Sequence, residues 1–289
     1  MTFHNSWLMV HRKTTQFARA LGYSFVFLAG LGVQHIWPAA AAAPPTPIII
    51  NVVYGGKQPP FVIKSAEEDP EHSGLAKDLL DAMNAAQDRY EFRLNIMFPQ
   101  RVAYRYEAEG IDLVAFSNLM WRWGALGAQS SATLYEDGDW YVALREGAQD
   151  VFADPAKHSI IIIPGFSYAF ANYETDFAEL EKGFDVVAAS NEAEILSMLV
   201  RGRAELGVMA GSMIEWLHHT QPSLLEDVVQ SQRADHEFDR SFIVLPRADI
   251  TPKELNQIVA EVAKTGHLQA IYDQYGLTLP AAWRAHTAK

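Results

Sequence analysis

The chain has 289 residues, 35 acidic against 23 basic, a formal net charge of −12, 49% apolar residues and no cysteine. That is the composition of a globular protein, long enough for one large domain or two of ordinary size. The missing cysteines exclude disulfides, thiolate metal sites, a cysteine nucleophile and a cysteine-linked lipid anchor. The acidic balance argues against a nucleic-acid groove, which needs clustered Lys and Arg.

Residues 1–42 hold Arg12, Lys13 and Arg19 and no acidic residue, followed by an apolar stretch from Ala20 to Val33 and then WPAAAAAPP. A basic start, a short apolar core and a run of small residues read as a secretory signal peptide. The core is shorter than the roughly 20 residues a spanning helix needs. Arg12-Lys13 is not a twin arginine, so the general secretory route is favoured. Cleavage is expected between Ala41 and Ala43. It would leave a mature chain of about 247 residues with a net charge of −15, exported to the periplasm without a lipid tether.

In the mature chain, 47–54 (PIIINVVY) is a continuous β-branched run that suits a strand buried on both faces. A helix is expected from Ser73-Gly74 to about 87, because Leu75, Leu79, Leu80 and Met83 share one face. A strand at 91–97, a short helix at 101–109 and a strand at 111–116 follow. Further strands are expected at 139–145, 158–163, 184–189, 205–209 and 226–231, with helices near 168–181, 191–201 and 211–219. A last strand at 241–245 leads to two C-terminal helices. The first opens with the capping box Thr251-Pro252-Lys253-Glu254 and the second stops at Gly276. Alternation of this kind means mostly parallel sheets flanked by helices, arranged as two α/β lobes with a cleft. Ligands then bind beyond the carboxyl ends of the strands, so the loops after 54, 116, 163 and 209 are where function is expected.

Catalytic patterns are weak. Gly165-Phe166-Ser167-Tyr168-Ala169 ends in alanine where a nucleophile elbow has glycine, and a helix-capping serine is the plainer reading of Ser167. His218-His219 suits the C-terminal end of a helix, and no HExxH spacing exists. No catalytic residue, cofactor or metal is therefore expected. Binding residues are easier to find. Gln58-Pro59-Pro60-Phe61 holds an aromatic ring at the end of the first strand. Ser117-Asn118-Leu119-Met120-Trp121-Arg122-Trp123 sets an arginine between two tryptophans, fit to hold a carboxylate between apolar walls. Gly165, Phe166, Ser167 and Tyr168 begin a predicted helix whose free amides could receive an anion.

The order of these pieces resembles the family 3 extracellular solute-binding proteins, the periplasmic receptors of polar amino-acid uptake. Matching segments are the first strand with Pro59-Pro60-Phe61, Gly74 to Leu80, Gly110 to Val114, Ile163 to Tyr168, Arg201 to Val208, and Gly266-His267-Leu268 through Gly276. The resemblance spans 47–277. It implies the type II periplasmic-binding-protein fold, two α/β lobes joined by two crossover strands and closing by hinge motion. Lobe one is then 46–139 plus 240–289, and lobe two is 140–239. Arg122 takes the family's carboxylate-binding position, with Gly165 and Ser167 completing the site. The acidic residue that holds the α-ammonium falls at Ala210 and is missing, and Glu205 would have to leave the sheet face to replace it.

The expected function is a monomeric periplasmic receptor that captures a small polar, carboxylate-bearing solute and passes it to an inner-membrane importer of the ABC type. Two alternatives share the fold: a ligand sensor docking on a membrane signalling partner, and a periplasmic cyclic-acid dehydratase.

Overall fold

The computed structural model describes residues 46–64, 72–97, 106, 109–121 and 123–287. The signal peptide expected over 1–42 lies outside the described residues, as does most of the short helix expected over 101–109. Pro45 to Lys289 fold as one compact unit. Among the described residues no helix is long and apolar enough to cross a membrane.

The strands are β1 (Ile48–Tyr54), β2 (Tyr90–Ile96), β3 (Leu113–Ser117), β4 (Gln129–Ser130), β5 (Tyr135–Leu144), β6 (Ile160–Ile162), β7 (Val186–Ala188), β8 (Leu206–Ala210) and β9 (Val228–Val244). The helices are α1 (Leu75–Ala85), α2 (Ala148–Ala153), α3 (Phe177–Gly183), α4 (Glu192–Val200), α5 (Gly211–Thr220), α6 (Pro252–Lys264), α7 (His267–Gln274) and α8 (Ala281–Thr287). The strands pair in the order β2-β1-β3-β9-β5-β8-β6-β7, with β4 on β9. β1 runs parallel to β2 and β3, and β6 parallel to β7 and β8. The fold is thus the expected α/β one: two mostly parallel regions joined where β5 and β9 pair antiparallel. The far end of β9 leaves β5 and pairs with β3 and β4.

Apolar burial follows the same division. Ile50, Phe61, Leu79 and Phe116 pack with Phe242, Tyr272 and Trp283, so the C-terminal helices complete the core built on β1 and β3. In the other region, Ile161 packs with Ile195 and Met213, while Ile160 and Ile162 pack on the opposite face with Tyr168 and Leu180. Both faces of β6 are buried, which is why its sequence is continuously apolar instead of alternating.

Several elements differ from the sequence expectation. The strands expected at 226–231 and 241–245 are one strand of 17 residues. Its middle, Gln232 to Arg240, is too polar to be found by apolar pattern. Ladder hydrogen bonds to β5 hold it there, although its sequence has no apolar pattern. The helix expected over 168–181 is a 3-10 turn at Ala169–Ala171 followed by α3, which Asp176 caps by accepting from the Ala178 amide. Asn172 and Tyr173 between them adopt φ of 51° and 63°, a left-handed conformation that no helix continues through. Finally, β4, α2 and α8 are elements that the sequence pattern does not mark. The Thr251–Glu254 capping box on α6 forms as expected.

Candidate functional site

Strands pair so that directly opposed residues share a face. Tyr135 lies opposite Arg240, Asp137 opposite Phe238 and Asp139 opposite His236. One face of the β5–β9 ribbon therefore carries Asp137, Asp139, His236, Phe238 and Arg240 together. The loops after β1, β3, β6 and β8 converge on this face.

Arg240 is its centre, 4% exposed. Its Nε donates to Asp137 Oδ2 at 2.6 Å and an Nη donates to the Phe116 carbonyl at 3.2 Å. The guanidinium lies 4.8 Å from the Phe61 ring centre, 5.1 Å from Phe238 and 5.4 Å from Trp121. An aromatic box lined by residues of three different segments thus holds the protein's own cation. Asp137 also receives the Ser212 amide (3.0 Å) and hydroxyl (2.8 Å), so it anchors the start of α5 to the ribbon. A side chain at Gly211 would approach Trp140 Nε1 to 3.0 Å and Asp137 to 3.2 Å, so glycine lets that helix start press this close.

Two further carboxyl groups are buried nearby. Glu192, the first residue of α4, accepts the Ala210 amide at 2.7 Å and reaches Gln58 Nε2 at 3.4 Å. Gln58 in turn accepts from the Tyr54 hydroxyl. Burial pushes the Glu192 carboxyl up to about 7 against the opposing Ala210 and Gln58 hydrogen bonds. Burial likewise raises Asp139 to about 7, with His236 and Arg240 opposing and Asp137 and Glu192 adding to the rise. His236 Nδ1 sits 3.6 Å from both Asp139 and Asp235 and makes no hydrogen bond. Burial works against its protonation, yet the two carboxylates hold its pKa above the ordinary imidazole value. Asp235 accepts the Tyr141 hydroxyl at 2.7 Å and the amides of Ala169 (2.5 Å) and Phe170 (2.8 Å). Burial alone would raise it, but these bonds and His236 bring it below the ordinary carboxylate value.

A cavity of about 480 Å³ adjoins the ribbon, lined among others by Glu136, Asp137, Glu215, Glu237, Asp239 and Trp140. Among the described residues no Lys, Arg or His lines it.

Of the residues singled out from sequence, Phe61 and Trp121 come together as walls of the Arg240 box. Trp121 also meets Phe238 edge-on at 5.0 Å. Asn118 Nδ2 donates to the Asp239 carbonyl at 2.8 Å, tying its loop to β9. Ser117 and Trp123 are buried and bond each other, Nε1 to Oγ at 2.8 Å. Tyr168 is buried, its hydroxyl accepting from the Ile163 amide and returning a bond to the Ile163 carbonyl. Gly165 and Phe166 are exposed, Ser167 is half-buried, and no helix starts at any of these three. Arg122 lies outside the described residues. Sequence reading missed Asp137, Asp139, Glu192, Asp235, His236 and Arg240. Five of them lie in the polar stretches Tyr135–Trp140 and Asp235–Arg240, which resemble ordinary solvated strands, and Glu192 reads as a plain first-turn acid of α4.

No family model matches the chain, and no curated protein matches it. Solved structures do. A structure described for glutathione import through GshT in Streptococcus mutans aligns with a TM-score of 0.62 at 14% identity, covering 81% of this chain and 98% of that one. The GluR0 ligand-binding core from Nostoc punctiforme, in complex with L-glutamate, gives 0.60 at 16% identity, covering 79% and 99%. An ancestral amino acid-binding protein, a precursor of cyclohexadienyl dehydratase, gives 0.59 at 13% identity, covering 78% and 94%. At these identities the likeness is one of fold: the chain has the type II periplasmic-binding-protein fold.

Proposed function

We propose that the protein is a periplasmic solute-binding protein that captures a small polar solute between two lobes and delivers it to an ABC-type importer. The lobes would be 46–139 with 240–289, and 140–239, hinged on β5 and β9. The observation that carries this reading is the cluster around Arg240. Buried charged and aromatic side chains from the β1, β3 and β8 ends and from both shared strands converge at one place. Ligand sites in open α/β sheets lie at such strand ends. The fold shared with the glutamate-bound core and the importer-linked receptor supports it. The carboxylate anchor expected of Arg122, Gly165 and Ser167 is part of the same proposal, and Arg122→Ala tests it by loss of affinity. Thermal scans of the mature protein against a library of small polar solutes test the reading itself. A ligand at about 100 times its Kd stabilises by about 2.7 kcal/mol. A library that raises Tm for no compound class would refute it.

One observation favours a second, enzymatic reading. Asp139 and Glu192, both with pKa near 7, are suited to proton transfer at neutral pH. Incubation with unsaturated cyclic acids, followed by absorbance of an aromatic product, separates the two: turnover displaces the receptor reading.

A further inference from the structure

The loop after β6 returns to the paired strands and is held there at two points. Asp235 on β9 accepts the amides of Ala169 and Phe170, at 2.5 and 2.8 Å. The Tyr173 ring meets the neighbouring His236 edge-on, with ring centres 5.6 Å apart. Residues Gly165 to Tyr173 carry no charge of their own. Tyr168 and Phe170 are anchored among apolar side chains. The parts free to yield are the turn amides and the Tyr173 ring, which is 58% exposed.

His236 is the unusual member of this contact. Its Nδ1 is buried without a hydrogen bond, 3.6 Å from Asp139 on β5 and 3.6 Å from Asp235. Both distances exceed a hydrogen bond, and a buried polar atom left in that state calls for an explanation. A protonated ring at this place is attracted by both carboxylates. A neutral ring leaves them facing each other across no more than twice that distance, with both carboxylate side chains largely out of water. Other titratable groups around the three are already engaged. Asp137 and Arg240 offset each other, and Glu192 is bonded to Ala210 and Gln58. The Tyr141 hydroxyl donates to Asp235 and the Tyr168 hydroxyl to the Ile163 carbonyl. Glu174, next along the loop, is exposed and accepts the Thr175 and Asp176 amides.

We propose that Asp139, His236 and Asp235 form a proton switch for the loop after β6: with two protons the cluster keeps Ala169–Tyr173 docked on β9, and on losing them it lets Tyr173 lift and water enter. Charge arithmetic gives the direction. With Asp139 and His236 both protonated, the three groups are neutral together. Asp139 titrates near 7 and His236 above the ordinary imidazole value, while Asp235 stays ionised. As pH rises through this range both protons leave, and two buried negative charges remain to repel each other where water screens them least. The docked form is therefore favoured at the acidic end. The switch alters one wall of the face around Arg240 and needs no bound solute, so it stands or falls apart from the receptor reading.

The test is amide hydrogen exchange of the mature protein, read residue by residue by NMR between pH 6 and 8. Rates are expressed as protection relative to the free-peptide rate at each pH. Protection of the Ala169 and Phe170 amides should fall at least fivefold over this interval, because opening is coupled to proton release. The Ala178 amide, capped by Asp176 outside the cluster, is the internal reference and should stay within about twofold. In the double variant Asp139→Asn/His236→Gln the fall at Ala169 and Phe170 should shrink to about twofold or less, whereas Glu192→Gln should retain it. Thermal scans check that both variants are folded. A smaller fall in the wild type, an equal fall at Ala178, an undiminished fall in the folded double variant, or its loss in Glu192→Gln would each overturn the proposal. Should the double variant not fold, the wild-type His236 imidazole shift decides. Titration over the same pH interval as the loss of protection supports the switch, and titration outside it overturns the switch.

Discussion

Replacing Arg240 by methionine keeps an unbranched apolar stem and removes the guanidinium and its charge from the middle of the molecule. The change deletes the 2.6 Å bond to Asp137, the 3.2 Å bond to the Phe116 carbonyl and three cation–ring contacts. It also leaves Asp137, 8% exposed, without its cation and, among the described residues, held by Ser212 and the Gly138 amide. Breaking a buried ion pair from one side costs about 3–5 kcal/mol, because the surviving charge stays desolvated. At about 2–4 °C per kcal/mol for a chain of this size, Tm should fall by about 6–20 °C. Asp137→Asn combined with Arg240→Met removes both charges of the pair, and the amide still serves Ser212. The double variant should therefore be about 2 kcal/mol more stable than the sum of the two single losses. Urea unfolding followed by tryptophan fluorescence, with thermal scans by circular dichroism, measures both quantities. A loss below about 1 kcal/mol for Arg240→Met, or strict additivity in the double variant, would show that the pair does not hold the two shared strands as argued.

Stability should fall as pH rises from about 5 to 8. Asp139 and Glu192 are raised from the ordinary 3.8 and 4.5 to about 7, so the folded state holds protons that the unfolded chain has released. Their contribution is full below about pH 4 and lost as pH climbs through 7, with a slope of up to about 1.4 kcal/mol per pH unit for each group. His236, also raised, acts in the same direction. Thermal scans across this range should show a declining Tm that Asp139→Asn and Glu192→Gln flatten; an equally steep decline in both variants would place the titration elsewhere. Gly74→Ala should destabilise by about 2 kcal/mol or more, since Gly74 holds φ of 130° and a Cβ would lie 2.4 Å from the Phe61 carbonyl oxygen. An unaltered Tm in that variant would contradict the tight seating of α1 on the Pro60–Phe61 turn.

Much of the fold was legible from the chain because burial writes itself into local pattern. The runs at Val52–Tyr54 and Leu206–Ala210 are apolar because both their faces are covered. Thr251-Pro252-Lys253-Glu254 marks a helix start by its own chemistry, and Gly276, at φ of 68°, marks a helix end. Phe61 and Trp121 could be placed near the cleft because they follow predicted strands. These are effects of neighbours within a few residues, or of a side chain simply needing to leave water.

The charged centre was not legible in this way, because it depends on groups far apart in sequence. Asp137 meets Arg240 and Ser212 across 103 and 75 residues, and Asp235 reaches back 66 residues to the Ala169 amide. Nothing local distinguishes Asp139 on a polar strand from an exposed carboxylate; pairing of β5 with β9 decides that it is buried beside His236. The same pairing turns a charged stretch that reads as a gap between strands into the middle of a 17-residue one. Sequence by itself determined an acidic α/β chain with strands and helices in this order. Tertiary structure alone decided which of its many acids lose their water, because desolvation and charge pairing are set by what the fold brings alongside.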